Sequence, residues 1–314
     1  LVSNEGPFNN GSGTVTFISE DLATQEDAIY KKVNGEDLGN VVQSIGFDEN
    51  SAYIIANVSH TVTVVNRYTF EKIKVISDGL ENPRFFAAVN GKGYVTDWGD
   101  PNDSSDDYVA VIDLATNTVL STISVSFGPE RLMAKGSTLY VAHQGGYGQN
   151  DVVSVINTDS NTVTSTINVG SVPNSLQLDN AGNLWVLSAG APSYAGTETG
   201  GMLSKINTTS NEVVSHLDFE TTEHPNLLSI DGSNLYYYLN GSVYEIDNSA
   251  TDLPSSSMLD GINFYGMTAA EGKLYGTDAG DYASKGTLTI IDINSKTILK
   301  TFTVGIVPGG VYFN

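Results

Sequence analysis

The segments GPERLMAKGSTLYVAHQGG (128–146) and VVSVINTDSNTVTSTINVG (152–170) contain the clearest copy of a pattern that repeats along the chain. Together they read as four short apolar strands, rich in Val, Ile and Thr, separated by turns that contain Gly, Asn or Asp. The five residues VSVIN mark the third of these strands. Versions of this strand recur along the chain: VTFIS (15–19), VTVVN (62–66), VAVID (109–113), VSVIN (153–157), LSKIN (203–207), VYEID (243–247) and LTIID (288–292).

The spacing of the seven copies identifies the architecture, because their last residues are 40 to 50 residues apart. Around each copy a first strand follows Pro or Gly, a tight turn leads to a second strand such as LYVAH (139–143), and a variable loop leads to the third strand. A turn such as NTDSNT (157–162) then leads to the fourth strand, and the Asp or Asn that ends the third strand can hydrogen-bond the backbone of this turn. A repeat of this length with four strands is typical of a β-propeller blade.

The two ends of the sequence complete one more unit. The residues before Ser19 and after Asp292 together amount to one blade length. LVSNEG (1–6) aligns with LYVAHQG (139–145), which makes it a second strand, and GGVYFN (309–314) supplies the matching first strand. The sequence therefore predicts an all-β protein, a single domain over 1–314 that forms a seven-bladed β-propeller of four-stranded blades. One blade is shared, with one C-terminal strand and three N-terminal strands.

Composition excludes several kinds of partner. The chain has 36 acidic and 14 basic residues and a net charge of -22, a field that repels phosphate backbones. It has no cysteine, and no apolar run approaches the ~20 residues that span a bilayer. We expect no nucleic-acid partner and no transmembrane segment, and a chain that is monomeric by itself.

The repeat resembles a known family. The pieces VSVIN (153–157), TNTV (116–119) and VGSVP (169–173) are similar to those of YVTN-repeat or YncE-like seven-bladed propellers, over essentially the whole chain. The acidic composition and the turns rich in Asn, Ser and Thr resemble Bacteroidota surface layer proteins, which include surface lipoproteins that capture cobalamin. This resemblance implies a secreted or cell-surface protein, with the periplasm as the alternative. A lipid anchor on the outer membrane would require a cysteine upstream of Leu1. The resemblance also implies hand-over of a cobamide to a TonB-dependent outer-membrane transporter.

Loop lengths predict which face of the ring binds a ligand. The loops between second and third strands and the connections between fourth and first strands are long, and they emerge on one face, here called the loop face. Aromatic and amide groups in these segments suit a flat or partly apolar ligand. The same tyrosines could instead fill gaps between blades. The candidate ligand-binding residues are Asn4, Phe8, His60, Arg84, Trp98, Arg131, His143, Tyr147, Asn174, Tyr194, Asn226, Tyr265, Asp278 and Tyr282.

The residue after the recurring proline starts the innermost strand and is expected to line the central channel. Two interpretations remain open for this polar ring, namely solvated groups around a water-filled channel and direct ligand contacts. The expected positions are Asn40, Arg84, Glu130, Asn174, Asn226, Tyr265 and Gly309.

The segment DWGDPNDSSDDY (97–108) is a candidate calcium loop. Its oxygen-rich composition suits calcium, which takes 6 to 8 oxygen ligands, but its spacing does not match the EF-hand pattern. The alternative is a solvated acidic loop. The five candidate ligands are Asp97, Asp100, Asp103, Asp106 and Asp107.

The sequence favours ligand capture without catalysis. The histidines His60 and His143 fall in loop-face segments, but neither belongs to a recognisable catalytic motif. No cofactor is required by this interpretation, and a cobamide would be the ligand rather than a cofactor. One alternative is a protein-interaction scaffold of the cell envelope. The other is a lyase or lactonase-like propeller enzyme.

Overall fold

The computed structural model describes residues 1–8, 11–100, 102–146 and 148–314. In these residues the strands form seven four-stranded antiparallel sheets, which confirms the seven-bladed propeller. Blade 1 combines the last strand of the chain with the first three strands, and blades 2 to 7 follow in chain order. Blades 1 to 3 contain β1 (Val2–Asn4), β2 (Thr14–Ile18), β3 (Gln25–Glu26), β4 (Val42–Phe47), β5 (Ser51–Ala56), β6 (Thr61–Asn66), β7 (Lys72–Ile76), β8 (Pro83–Val89), β9 (Lys92–Asp97), β10 (Tyr108–Asp113) and β11 (Thr118–Ser124).

The remaining blades repeat the same four-strand order, and blade 7 is followed directly by the strand that returns to blade 1. One short helix, α1 (Ile29–Asn34), precedes blade 2, and a 3-10 turn lies at Ser193–Ala195. No helix within the described ranges is long and apolar enough to cross a membrane. The strands are β12 (Pro129–Lys135), β13 (Thr138–His143), β14 (Val152–Asn157), β15 (Thr162–Asn168), β16 (Pro173–Leu178), β17 (Leu184–Ser188), β18 (Met202–Asn207), β19 (Glu212–Asp218), β20 (Asn226–Asp231), β21 (Asn234–Leu239), β22 (Ser242–Asp247), β23 (Leu259–Asp260), β24 (Gly266–Ala270), β25 (Lys273–Asp278), β26 (Lys285–Asp292), β27 (Thr297–Ile306) and β28 (Pro308–Val311).

The core is divided among the boundaries between blades. Seven clusters of buried apolar side chains occur in the described residues, one between each pair of neighbouring blades. On the second strand of blade 2, Tyr53 and Ile55 pack toward blade 3 while Ile54 packs toward blade 1. Successive side chains of a strand point to opposite faces, and both faces of a blade are covered. This explains why the repeat strands read as continuous apolar runs.

The Asp or Asn that ends each third strand organises the next turn, as the sequence predicts. The Asp113 carboxylate accepts hydrogen bonds from the backbone N–H groups of Ala115 (2.7 Å) and Thr116 (3.1 Å). The amide of Asn157 accepts the equivalent bonds from Asp159 (3.0 Å) and Ser160 (2.9 Å). These recurring residues therefore have a structural role.

The same turns connect one blade to the next through a tyrosine of the second strand. The Tyr94 hydroxyl of blade 3 donates to the Asn161 side-chain oxygen of blade 4 at 2.9 Å. The Tyr140 hydroxyl of blade 4 does the same to Asn211 of blade 5, also at 2.9 Å. Both asparagines adopt a left-handed backbone, with φ of 53° and 57°, a conformation that Asn tolerates better than most residues. The repeat thus encodes a hydrogen bond between blades.

The ring closes in blade 1, where β1 pairs with β28 on one side and β2 on the other. Asn4 is fully buried at the end of β1. Its amide nitrogen donates to the hydroxyls of Thr14 and Thr16, each at 3.2 Å, and its oxygen accepts from the Gly305 N–H at 2.9 Å. One side chain therefore joins the N-terminal strands to the chain that leads into β28.

We predict that Tyr140→Phe destabilises the protein modestly. The substitution keeps the buried ring but removes the hydroxyl that reaches Asn211, and a net loss of about 0.5–1.5 kcal/mol is expected for one hydrogen bond. Urea unfolding followed by tryptophan fluorescence measures the change. Tyr68→Phe is the matched control, because Tyr68 is 70% exposed. Equal stability of the Tyr140 variant and the wild type would show that this bond between blades contributes nothing.

We predict a larger effect for Asn4→Ala, because the substitution removes the fully buried amide that bonds the half-buried Gly305 N–H and the hydroxyls of Thr14 and Thr16. An unsatisfied buried donor or acceptor costs about 1–3 kcal/mol. Calorimetry should show a lower Tm for the whole ring in one transition. The control Asn102→Ala, at an exposed loop residue, should melt with the wild type. A separate early transition would show that the closing blade unfolds independently of the others.

Candidate functional site

A cavity of about 1140 Å³ lies at the loop-face end of the central channel. Every blade contributes to its wall, because the first residues of the innermost strands converge there. Six of the seven ring positions expected from sequence line it. The ring as the structure has it consists of Gln43, Arg84, Glu130, Asn174, Asn226, Tyr265 and Gly309.

The exception is Asn40, whose expected place in the ring is wrong. In blade 2, Val42 pairs with Ala56 as Pro83 pairs with Asp97 in blade 3, so the ring residue is Gln43. Asn40 precedes the strand and its backbone N–H donates to the Ser59 hydroxyl at 2.7 Å. Blade 2 has no proline at the start of its first strand, and the sequence therefore lacked the marker that fixes this position.

Arg84 and Glu130 form an ion pair in the wall. The Arg84 Nε and Nη2 donate to the two carboxylate oxygens of Glu130 at 2.8 and 2.9 Å, and only 14% and 7% of the two side chains are exposed. The guanidinium also lies 4.1 Å from the ring centroid of Trp98. The Trp98 Nε1 in turn donates to the Pro129 oxygen at 2.8 Å. These contacts hold the wall between blades 3 and 4 in place, and the charges of Arg84 and Glu130 neutralise each other.

Arg131 lies beside this pair without a carboxylate partner. Its guanidinium is stacked on Phe85, 4.1 Å from the ring centroid, and its side chain is exposed in the cavity. Among the residues that the structure describes, no Asp or Glu oxygen lies within 4.0 Å of it. The wall therefore presents one uncompensated guanidinium.

On the opposite part of the wall, Tyr265 bridges the closure of the ring. Its hydroxyl donates to the Glu5 carboxylate at 2.9 Å, and its ring makes an edge contact with Tyr282 at a centroid distance of 5.6 Å. Burial raises the pKa of the Glu5 carboxyl, and burial together with Glu5 raises the pKa of Tyr265. Glu5 was not among the sequence candidates, although it follows directly after the predicted second strand.

A second missed residue is His224, which lines the cavity near blade 5. Its Nδ1 lies 2.8 Å from the Ala189 oxygen and its Nε2 lies 3.2 Å from the Glu198 carboxylate. The segment TTEHPN (221–226) is one of the predicted loop-face connections, so its position in the fold could have identified it. Tyr194, which was predicted, is 91% exposed and also lines the cavity.

Several sequence candidates lie outside the wall. Asn4 and His143 are both fully buried. The Nε2 of His143 lies 2.8 Å from the Ser154 hydroxyl, and burial lowers its pKa to about 4. His60 is exposed and its ring contacts the Glu81 carbonyl.

Phe8, Asp278 and Tyr282 also stand apart from the cavity. Phe8 is 69% exposed on the loop face. The Asp278 carboxylate accepts from the Asn263 amide at 2.9 Å and from the Gly280 N–H at 2.8 Å. Tyr282 reaches the wall only through its contact with Tyr265. Tyr147 lies outside the described residues.

The acidic loop does not gather its carboxylates around one point. Asp97 is buried and accepts from three backbone N–H groups at 2.7 to 3.0 Å. Asp107 is 2% exposed, accepts from the Gly128 N–H at 2.9 Å, and has its pKa raised to about 6 by burial. Asp100 and Asp103 are exposed and cap local turns, and Asp106 accepts from the Asp100 N–H at 3.0 Å. Within the described ranges no three His, Asp or Glu side chains are placed to hold a metal ion.

Comparison with solved structures supports the fold. The chain is similar to the Kuenenia stuttgartiensis hydrazine synthase (16% identity, TM-score 0.66, 85% of this chain and 87% of that chain). It is also similar to the computationally designed Ika8 protein (12% identity, TM-score 0.58, 88% and 78%). BamB from Moraxella catarrhalis shows 12% identity and a TM-score of 0.62, with coverage of 100% and 90%. At these identities the likeness concerns the fold alone.

A search of curated proteins gave no match. A family model, by contrast, matches residues 1–297, which is nearly the whole chain and includes wall residues from all seven blades. The chain therefore belongs to the family described as Domain of unknown function (DUF5074).

Proposed function

We propose that this propeller binds a large small-molecule ligand in the central cavity without chemical turnover. The observation that carries this proposal is the cavity of about 1140 Å³, to which all seven blades contribute. Its volume exceeds the ~300–1,000 Å³ of typical small-molecule sites. Because the ring positions of the wall lie at the starts of paired strands, this part of the wall is formed before a ligand arrives.

The chemistry of the wall supports a ligand with both flat and amide-like parts. Neutral amides come from Gln43, Gln144 and Gln149, in addition to the two asparagines of the ring. Tyr194 and Tyr265 add exposed aromatic surface. A cobamide, a flat macrocycle edged with amides, fits this combination and is the ligand that the resemblance to cobalamin-capturing surface proteins implies. We propose it as the first ligand to test.

The location and partner follow from the same proposal. A capture protein of this kind acts outside the cell or at its surface and passes its ligand to a TonB-dependent outer-membrane transporter. The exposed aromatic rings of Phe8 and Tyr282 at the loop face, 69% and 59% exposed, would suit contact with a protein. They also keep the alternative of a cell-envelope scaffold open.

Two observations favour binding over catalysis. His143 is buried against Ser154, and His60 lies outside the cavity wall. Neither histidine expected from sequence therefore reaches a ligand in the cavity. The enzyme alternative would have to use His224 with Glu198, the histidine that the described wall does contain.

We predict that cyanocobalamin binds the purified protein with a micromolar or tighter Kd. Tyr194→Ala should weaken binding by about 2- to 10-fold, the range expected for loss of one aromatic contact of about 0.5–1.5 kcal/mol. Isothermal titration calorimetry and the absorption spectrum of the ligand both measure this. The matched control is Tyr68→Ala, since Tyr68 is 70% exposed in a third-to-fourth-strand turn on the opposite face.

Absence of both heat and a spectral change at micromolar protein would exclude a cobamide as the ligand. Equal weakening by the Tyr194 and Tyr68 variants would place the binding site outside the cavity. Chromatography of the ligand after incubation tests turnover, and recovery of altered ligand would favour the enzyme alternative.

A further inference from the structure

Arg131 differs from the other basic side chains of the cavity wall, Arg84 and His224. Arg84 is paired with Glu130, and His224 lies 3.2 Å from Glu198. Arg131 also lines the cavity, but it has no carboxylate within 4.0 Å among the described residues. Its positive charge is therefore available to a ligand in the cavity.

The adjacent acid cannot neutralise it. Both carboxylate oxygens of Glu130 accept from Arg84, at 2.8 and 2.9 Å, in a pair that is mostly buried. Such a bidentate pair uses the geometry that a guanidinium and a carboxylate match best. Glu5, the other acid of the wall, accepts from the Tyr265 hydroxyl instead.

Stacking on Phe85 prepares Arg131 for a planar partner. The guanidinium carbon lies 4.1 Å from the centroid of the Phe85 ring, and Phe85 itself is 8% exposed and fixed. A guanidinium presents its N–H groups in its own plane, where they can donate to a ligand. An oxyanion with two oxygens in that plane can accept two parallel hydrogen bonds.

The placement of the arginines is unusual for so acidic a protein. The chain carries a net charge of -22, and its arginines are Arg67, Arg84 and Arg131. Two of these three lie in the wall of one cavity. A guanidinium retains its charge at any physiological pH, so this arrangement gives the cavity a permanent positive site.

We propose that Arg131 binds an oxyanion of the ligand, a carboxylate or a phosphate, and that the cavity takes anionic small molecules. The inference rests on the proposed function and names the chemical class that the same site accepts. The wall amides Gln144 and Asn226 offer neutral donors and acceptors to the rest of the ligand.

The three arginines allow a direct test. A proton–nitrogen NMR spectrum should show three Nε–Hε signals, one for each arginine. The variants Arg67→Lys and Arg131→Lys each remove one signal and so assign it, and the remaining signal belongs to Arg84. The wild-type protein is titrated with phenyl phosphate, with benzoate and with neutral benzyl alcohol, all at constant ionic strength. We expect a saturable shift of the Arg131 signal with at least one anion, no shift with benzyl alcohol, and a constant Arg67 signal.

Affinity measurements on variants give the second readout. Arg131→Gln should weaken binding of the active anion at least about tenfold, as expected for loss of a charge-assisted hydrogen bond. Arg67→Gln changes the net charge equally but lies in a turn on the opposite face, where Arg67 stacks on Phe47 at 4.9 Å. This control should bind within about twofold of the wild type.

An Arg131 signal that neither anion moves, or that moves no more than the Arg67 signal, overturns the proposal. The comparison of phenyl phosphate with benzoate identifies the preferred oxyanion. If cyanocobalamin does not bind but an anion shifts the Arg131 signal, the cobamide is rejected and the anion site is kept. If cyanocobalamin binds but neither anion shifts the Arg131 signal, only the anion site is rejected.

Discussion

The closure of the ring in blade 1 holds the other blades in place, because β1 must pair with β28 and β2 at once. Each blade buries both faces against its neighbours, and a ring with one gap would expose two apolar faces. Asn4 strengthens the closure from inside by joining Thr14, Thr16 and Gly305. The pairing also covers strand edges that would otherwise be open to another chain.

The closed ring determines the shape of the cavity. The first strands of neighbouring blades contact one another around the whole ring, so the residues at their starts are held at fixed positions around the channel. The contact from Tyr265 of blade 7 to Glu5 of blade 1 crosses the closure itself. Gly309 and Gly310, near the other end of the chain, also line the cavity. A ligand that binds the cavity of the folded ring alone would stabilise the ring by mass action.

The sequence predicted the fold well because each blade of a propeller repeats the same local pattern of strands and turns. The strand period and the turn residues are each read from a few neighbouring residues, and the closure follows from combining the two ends of the chain into one blade length. The repeat also predicted six of the seven ring positions. The prediction failed at Asn40, because blade 2 lacks the proline that marks the start of the first strand in most other blades.

Side-chain direction was harder to predict. Asn4 and His143 occupy the same repeat position as Asp97, the last residue of a second strand, and all three are fully buried. Asp278 ends the second strand of blade 7 in the same way and is only half-buried, so the repeat position alone did not assign Asn4 and His143 to the interior. Glu5 directly follows the predicted second strand and His224 lies in a predicted loop-face connection, so the repeat placed both at the loop face, and the folded ring shows that both line the cavity.

The charges of the protein act on an anionic ligand differently at long range and at short range. The net charge of -22 repels an anion from afar, but free charges are largely screened beyond about 8–10 Å at physiological ionic strength. Within the cavity, the ion pair of Arg84 and Glu130 contributes little net charge, and Arg131 acts at contact distance where screening by salt is weak. Long-range repulsion therefore slows the approach of all anions alike, whereas the short-range guanidinium selects those whose oxyanion fits its plane. A strongly acidic protein can in this way bind an anion selectively, because selectivity is decided by contacts inside the cavity and not by the field around the ring.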